Sequence, residues 1–369
     1  MKLSAFSCRL SVVVAAGVAL LLIPARPQAQ QGRRNAAPPA QGRGSAVARN
    51  APERALRRDF AEAAQQPGRG GGQPQNFDNV EVHVLPVQGN VYMLVGAGGN
   101  VTIQVGDEGV LLVDTSFAQM SDKILAEIRK LSNKPIRYII NTHVHPDHVG
   151  GNENLGKAGR TVSGGNVGND APTGATIIAH ENVLNRMSAP TGTQAPFPFA
   201  AWPTDTYFTK QKEIFFNNEA VVVLHQMAAH TDGDSLVYFR RSDVVSTGDI
   251  FLTTSYPMID QQRGGSINGI IRSLNVLLDL AIPKDKQEGG TYIIPGHGRL
   301  CDEADLLEYR DMTTIIRDHI EDLIKKGRTL EQVKAAKPTL DYDGRYGADS
   351  GPWTTAMFIE AVYRDLSKK

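Results

Sequence analysis

Within six consecutive positions the chain places three imidazoles and a carboxylate: His143-Val144-His145-Pro146-Asp147-His148. Neutral imidazole and carboxylate oxygen are ligands that zinc and ferrous iron favour. Solvated loop histidines do not account for such a density of ligand-type residues, so the stretch predicts a metal site. Ile139 and Ile140 just before it read as the end of a β-strand. Because a strand alternates its side chains, His143, His145 and Asp147 are expected to point one way. Pro146 is expected to end the ladder and turn the chain, so that His148 approaches a different ion from another side. Three later segments offer the same chemistry: His230 in Ala-His-Thr-Asp-Gly-Asp, Asp249 after Ser-Thr-Gly, and His297 in Pro-Gly-His-Gly.

The elements that must carry these residues follow from periodicity. Residues 80–87, 91–95, 101–105 and 110–113 are β-rich runs separated by Gly-Asn, Gly-Gly and Asp-Glu-Gly turns, the pattern of an antiparallel meander. Residues 121–131 set Ile124, Leu125, Ile128 and Leu131 at helical spacing with Ser121 as the expected cap. Residues 136–140 return to the sheet and deliver the histidines. Further strands are expected at 176–179, 214–216, 221–225, 236–239, 244–245 and 291–294, with helices at 181–187 and 266–280. From 303 the tail is expected to be helical to about 326, again from 330, and again over 355–366. Ligands at strand ends and in the loops beyond them suit a layered α/β (α+β) architecture.

Two loops stand apart. Residues 158–175 are rich in Gly, Asn, Ser and Thr without periodicity and read as a mobile loop. Residues 188–206 set Phe197, Phe199 and Trp202 among Pro190, Pro196, Pro198 and Pro203. These aromatics either wall a substrate pocket, with Phe197 and Trp202 as contacts, or fold back onto their own core. Arg263, between Asp260 and a Gly-Gly pair, is the candidate to grip a substrate carboxylate, since its fork suits bidentate pairing.

The 369 residues, 41% of them apolar, suffice to fill a sizeable core. Lys plus Arg number 39, as do Asp plus Glu, so no global charge points to nucleic acid. Lys2 and Arg9 flank a short polar start, and residues 11–23 are an apolar run too short to span a bilayer comfortably, followed by small residues near Ala25 and Ala29. Residues 1–29 are therefore expected to be a secretory signal peptide, which implies export to the periplasm or beyond and no stable membrane insertion after cleavage. Residues 30–76 hold almost no large apolar side chain and several arginines, the composition of a disordered basic linker. Cys8 falls in the signal, which leaves Cys301 alone and allows no internal disulfide. The ligand-bearing domain is expected over 77–300, with a helical extension over 301–369 packed on it.

HVHPDH, AHTDGD, STGD and PGHG, in that order, resemble the motifs of the metallo-β-lactamase superfamily over about residues 80–299. The resemblance implies a four-layer αββα sandwich with metals in a cleft between two sheets. It implies that His143, His145 and His230 hold one zinc ion, that Asp147, His148 and His297 hold a second, and that Asp249 bridges them. Imidazole ligands leave zinc its full charge and an open position for water, which then loses a proton near neutral pH. Asp147 sits where it could also receive that proton and pass it on, and is the candidate catalytic residue. The implied activity is zinc-dependent hydrolysis of an amide, ester, thioester or lactone, a β-lactam included, in a small-molecule substrate. His83, His180, His225 and His319 match no ligand position and read as core or surface histidines.

Departures from the family patterns narrow the branch. The best-known secreted β-lactamases of the family carry a cysteine where Asp249 stands and a lysine three residues later, where this chain has Leu252. Homoserine-lactone lactonases have a tyrosine at that later position. Thioesterases of the glyoxalase II type carry the full ligand set, but they are generally intracellular. The chain thus looks like the exported metallohydrolases of the family. An iron-dependent sulfur dioxygenase or other redox member shares the fold and most ligands and is the alternative. A nuclease or non-catalytic member is the third class, disfavoured by the intact ligands and by the zero net charge.

Overall fold

Alternation of side chains along the strands sorts the apolar residues into distinct layers of core. In the computed structural model, which describes residues 76–161, 174–190 and 196–368, twelve strands form two sheets. The first sheet runs in the order β1 (His83–Gln88), β2 (Val91–Val95), β3 (Val101–Gly106), β4 (Gly109–Val113), β5 (Ile136–Ile140), β6 (Thr176–His180) and β7 (Asp205–Tyr207). Its first four strands are antiparallel neighbours, and β4 to β7 are parallel. The second sheet has the order β12 (Tyr292–Ile294), β11 (Val244–Ser246), β10 (Ser235–Phe239), β9 (Glu219–His225), β8 (Gln211–Phe216), with only β11 and β12 parallel.

Val91, Met93 and Val95 of β2 and Leu111 and Val113 of β4 face Val221, Val223, Val237 and Phe239 of the other sheet, which forms the inter-sheet core. The alternate residues Leu94, Val110 and Leu112 face outward onto Ile124 and Ile128 of the helix Ser121–Leu131. On the far side, Leu236, Val245 and Ile293 meet the helices Ile267–Leu280, Glu303–Lys325 and Thr355–Leu366. The order is helix, sheet, sheet, helix: an αββα sandwich. Each fully buried aliphatic side chain contributes about 1.5–3 kcal/mol, so truncating Ile128, which joins helix to sheet, is expected to cost about 2–5 kcal/mol.

The helices largely follow the expected spacing. Ser266 caps the helix Ile267–Leu280 by accepting from Gly269 N, and Asp302 and Asp305 form a capping box at the start of Glu303–Lys325. Three expectations are corrected. Ser121 does not cap its helix: Met120 holds the cap position, and Ser121 Oγ donates to Ala118 O instead. The first strand starts at His83, because residues 77–79 form a tight 3-10 turn before it. Above all, the strand before the histidines stops at Ile140. His143, His145 and Asp147 therefore do not alternate along a ladder, and Pro146 opens the short helix Pro146–Val149 at a position where its missing N–H costs nothing. Strand β7 and the short helix Asp343–Tyr346 lack a periodic signature and went unforeseen.

The expected signal peptide, the linker up to residue 75 and residues 162–173 of the expected mobile loop lie outside the described residues. Among the described residues, no helix is long and apolar enough to cross a membrane.

Candidate metal centre

The parallel strands β4, β5 and β6 all end at one edge of the first sheet, and the site is built there. Asp114, the residue after β4, has a left-handed backbone (φ 62°) that turns its carboxylate across the strand ends. Its Oδ1 accepts from Thr142 N at 2.8 Å, and its Oδ2 accepts from Thr142 Oγ1 at 2.6 Å and lies 2.7 Å from His148 Nδ1. Asn141 and Asn152 exchange amide hydrogen bonds of 3.0 and 2.8 Å beneath, which pins the chain entering the loop to the helix Asn152–Lys157. Close approach also demands glycines. A Cβ on Gly99 would stand 2.4 Å from the His148 ring, and one on Gly296 would stand 2.1 Å from Asp249 Oδ1.

All seven expected ligand residues converge. His143, His145, His230 and Asp249 offer ligand atoms within 4.8 Å of one another, and Asp147, His148 and His297 form a second group at the same spacing. Asp249 lies between the groups. Its Oδ1 is 3.2 Å from His148 Nε2 and 3.3 Å from His297 Nε2, while its Oδ2 is 3.8 Å from His230 Nε2. Asp147 Oδ2 is 3.2 Å from His297 Nε2. The expectation that Asp147 would point with His143 and His145 is thus corrected: the helix turn at Pro146 swings it into the second group.

Charge is crowded here. Burial opposes ionisation of Asp249, yet His297 and His148 outweigh it and hold its carboxyl well below the usual range. Burial likewise opposes a charge on His148, but Asp249, Asp114 and Asp147 push its pKa well above the ordinary value. Burial, His148 and His230 together push His143 far down, so this imidazole is neutral. Its Nδ1 lies 3.0 Å from Thr142 Oγ1, and its buried Nε2 has no hydrogen-bond partner. A neutral, desolvated lone pair within a ring of carboxylates and imidazoles is what a divalent cation needs. The residues present fit a metal centre.

The expected substrate contacts lie differently. Phe197 and Trp202 pack against Val144, Val183, Met187 and Ala201, and Trp202 Nε1 donates to Phe197 O. Of the two readings of this loop, the one in which these aromatics fold onto their own core describes them; Phe199 is the ring left 80% exposed. Arg263 Nη1 donates to Asp260 Oδ2 at 2.6 Å, while its side chain stays 42% exposed. Asp260 Oδ2 also lies 2.9 Å from His145 Nε2. Sequence reading missed both Asp114 and Asp260. Asp114 carries a weak signal as a polar strand-end residue; Asp260 carries none, being 115 residues from the ring it meets.

The family model described as the metallo-β-lactamase superfamily matches residues 86–336. The chain belongs to the metallo-β-lactamase superfamily. A 45-residue stretch is 53% identical to the linear primary-alkylsulfatase of a Pseudomonas species, covering 12% of this chain and 8% of that protein. An alkyl/aryl-sulfatase of Saccharomyces cerevisiae is 36% identical over 108 residues, which is 27% of this chain and 16% of the yeast protein. The solved structure of a stereoselective inverting sec-alkylsulfatase from Pseudomonas sp. superposes with a TM-score of 0.56 at 17% identity, covering 77% of this chain and 50% of the other. That likeness is one of fold. This superfamily member spans half the length of the solved alkylsulfatase and far less of the two curated sulfatases.

Proposed function

We propose that the protein is a metallohydrolase that binds two divalent ions, zinc by preference, and cleaves an ester, thioester, lactone or amide bond of a small molecule. The observation that carries this reading is the position of Asp249, one oxygen turned to each of two ligand groups. His143, His145 and His230 would hold one ion, Asp147, His148 and His297 the other, with Asp249 shared. Bound there, the ions supply Lewis acidity and lower the pKa of a water molecule toward neutrality.

The chain's own residues do the rest. Asp147 is the proton carrier. Its side chain is 23% exposed, against 3% for Asp249, so it faces the mouth of the site. Burial opposes its ionisation, but His148 and His297 hold its carboxyl well below the usual range, so at neutral pH it is ionised. A proton taken from the attacking water at its carboxylate can be handed to the leaving group. His143 and His230 are fully buried, which keeps bulk water from their rings.

Elemental analysis of purified protein tests the metal, and a hydrolysis panel tests the reaction. The panel comprises an aryl ester, a glutathione thioester, an acyl-homoserine lactone and a chromogenic cephalosporin. Two zinc ions per chain and turnover of one panel member are the expected result; stoichiometric iron would instead support the redox alternative. A second reading, hydrolysis of an alkyl sulfate ester, is favoured by the 53% identity to a linear primary-alkylsulfatase over 45 residues. Release of sulfate from dodecyl sulfate distinguishes it. Export with cleavage of the first 29 residues belongs to the same proposal; an N-terminus at Met1 in protein recovered from the periplasm or medium would overturn the cleavage, and recovery from the cytoplasm alone would overturn the export.

A further inference from the structure

The two ligand groups are supported from different parts of the molecule. His148 Nδ1 is held by Asp114, and Asp147 O accepts from Gly99 N at 2.9 Å, so the second group leans on the first sheet. In the first group, His145 and His230 lean on one segment, residues 258–263. His230 Nδ1 donates to Met258 O at 2.7 Å, which leaves Nε2 as its lone-pair nitrogen. His145 Nε2 is turned to Asp260, which leaves Nδ1, 2.8 Å from His230 Nε2, to face the cluster. Asp260 N also donates to His230 O at 3.0 Å, so one residue holds the His145 ring and the His230 backbone.

That segment is in turn fastened to the C-terminal helices. Gln261 Nε2 donates to Ala361 O at 2.9 Å, within the helix Thr355–Leu366. Tyr256 OH donates to Asp343 Oδ1 at 2.8 Å and lies 3.1 Å from Thr339 O. The Tyr256 ring stacks on Phe358 with centroids 4.8 Å apart and planes 5° apart, and Ile259 joins the same core as Ile359 and Val362. Ile267 N, just beyond the segment, donates to Asp365 Oδ2 at 2.9 Å.

We infer that Asp260 is a positioning residue for the His143, His145, His230 and Asp249 group, and that the C-terminal helices, through Gln261 and Tyr256, set how tightly that group alone holds its ion. The inference rests on the metal-binding reading above. A carboxylate on the far nitrogen fixes the tautomer of a ligand imidazole and raises its basicity, and losing such a partner typically costs about 10–100-fold in metal affinity. The tail acts one step further out, so cutting its hydrogen bond to Gln261 should have a smaller effect on the same ion.

The test is titration of metal-stripped full-length protein with cobalt(II) against a chelator, read by metal stoichiometry and by the cobalt absorption spectrum. Wild-type protein should take up two ions. Asp260→Ala should weaken one of them about 10–100-fold with a change in its absorption band, and leave the other as in wild type. Asp260→Asn, which keeps an oxygen facing His145, should recover part of the loss. Gln261→Ala should weaken the same ion several-fold. Should Asp260→Ala fail to fold by thermal melting, the Asn and Gln261 variants carry the comparison alone. Wild-type affinity for both ions in the Asp260 variants, or equal weakening of both, overturns the positioning role; an unaltered Gln261→Ala and Tyr256→Phe overturn the role of the tail. Wild-type protein that takes up no cobalt would sink the metal reading itself, a result distinct from any of these.

Discussion

Two buried carboxylates sit at opposite ends of the sandwich and have opposite fates. At the end away from the histidines, Glu219 at the start of β9 is 2% exposed. It accepts from Gln104 Nε2 at 2.6 Å, from Ser242 Oγ at 3.1 Å and from Ser242 N. Gln104 belongs to β3, so this cluster clasps one sheet to the other with neutral donors only. At the other end Asp249 is surrounded by imidazoles, and His143 Nε2 close by has no donor or acceptor. The contrast shows what separates a structural polar cluster from a working one. Amide and hydroxyl donors fix a carboxylate and leave nothing to exchange. Imidazoles hold the same charge with a proton that a cation can replace, and an orphan lone pair keeps that exchange open.

Paired substitutions test the separation of these ends, and the largest effect is expected at Asp249. Asp249→Ala should lose at least one ion by elemental analysis and bring hydrolysis close to background, with little change in how the sheets clasp. Glu219→Ala should keep full metal content and activity per folded molecule, while leaving Gln104 and Ser242 without their buried acceptor. Metal loss in the Glu219 variant would break the comparison.

Next in size is Asp147→Asn, which keeps a ligand oxygen but removes the base. General-base assistance is worth about 10²–10⁴-fold, so kcat should fall by about that factor at saturating zinc. A zinc-saturated variant with wild-type kcat would reduce Asp147 to a ligand. The stability cost of Glu219→Ala itself is smaller in free energy, about 1–3 kcal/mol for the unsatisfied donors, and denaturant unfolding measures it.

An effect of similar size comes from pH and originates at the histidine-rich end. His180 and His225 stack with centroids 3.6 Å apart and planes 5° apart. Burial and the neighbouring His225 push the His180 pKa down to about 4, and burial lowers that of His225. The unfolded chain, with ordinary histidines, therefore takes up protons first as pH falls through about 6.5. Stability is complete above that value and declines between about 6.5 and 4, by about 1–3 kcal/mol. Unfolding measured at pH 7 and pH 5 should show the decline in wild type and less of it in His180→Phe. An equal decline in both would assign the acid sensitivity elsewhere.

Much of this architecture was legible from the chain alone. Strands β2 and β5 and the helices Ser121–Leu131 and Thr355–Leu366 fall where periodicity places them, because burial on one face imposes a period of 2 or 3.6 on whatever sequence fills it. The residue types that gather at the site were legible too, since only a few side chains bind divalent ions and they cluster in short motifs. Their orientation was not. Alternation along a strand was the wrong geometry for His143, His145 and Asp147, because the ladder ends at Ile140 and Pro146 starts a helix turn.

What only the tertiary structure decided is which partner completes each functional side chain. Asp114 meets His148 across 34 residues and Asp260 meets His145 across 115. No local periodicity encodes such pairs; they exist because sheet packing brings strand ends and the 258–263 segment to one place. The same packing turned Arg263 toward Asp260 and folded Phe197 and Trp202 onto their own small core. A side chain's type and its neighbours in sequence state the chemistry it can do. Whether it is free to do that chemistry depends on the hydrogen-bond partners that distant segments supply, and those are set by the fold.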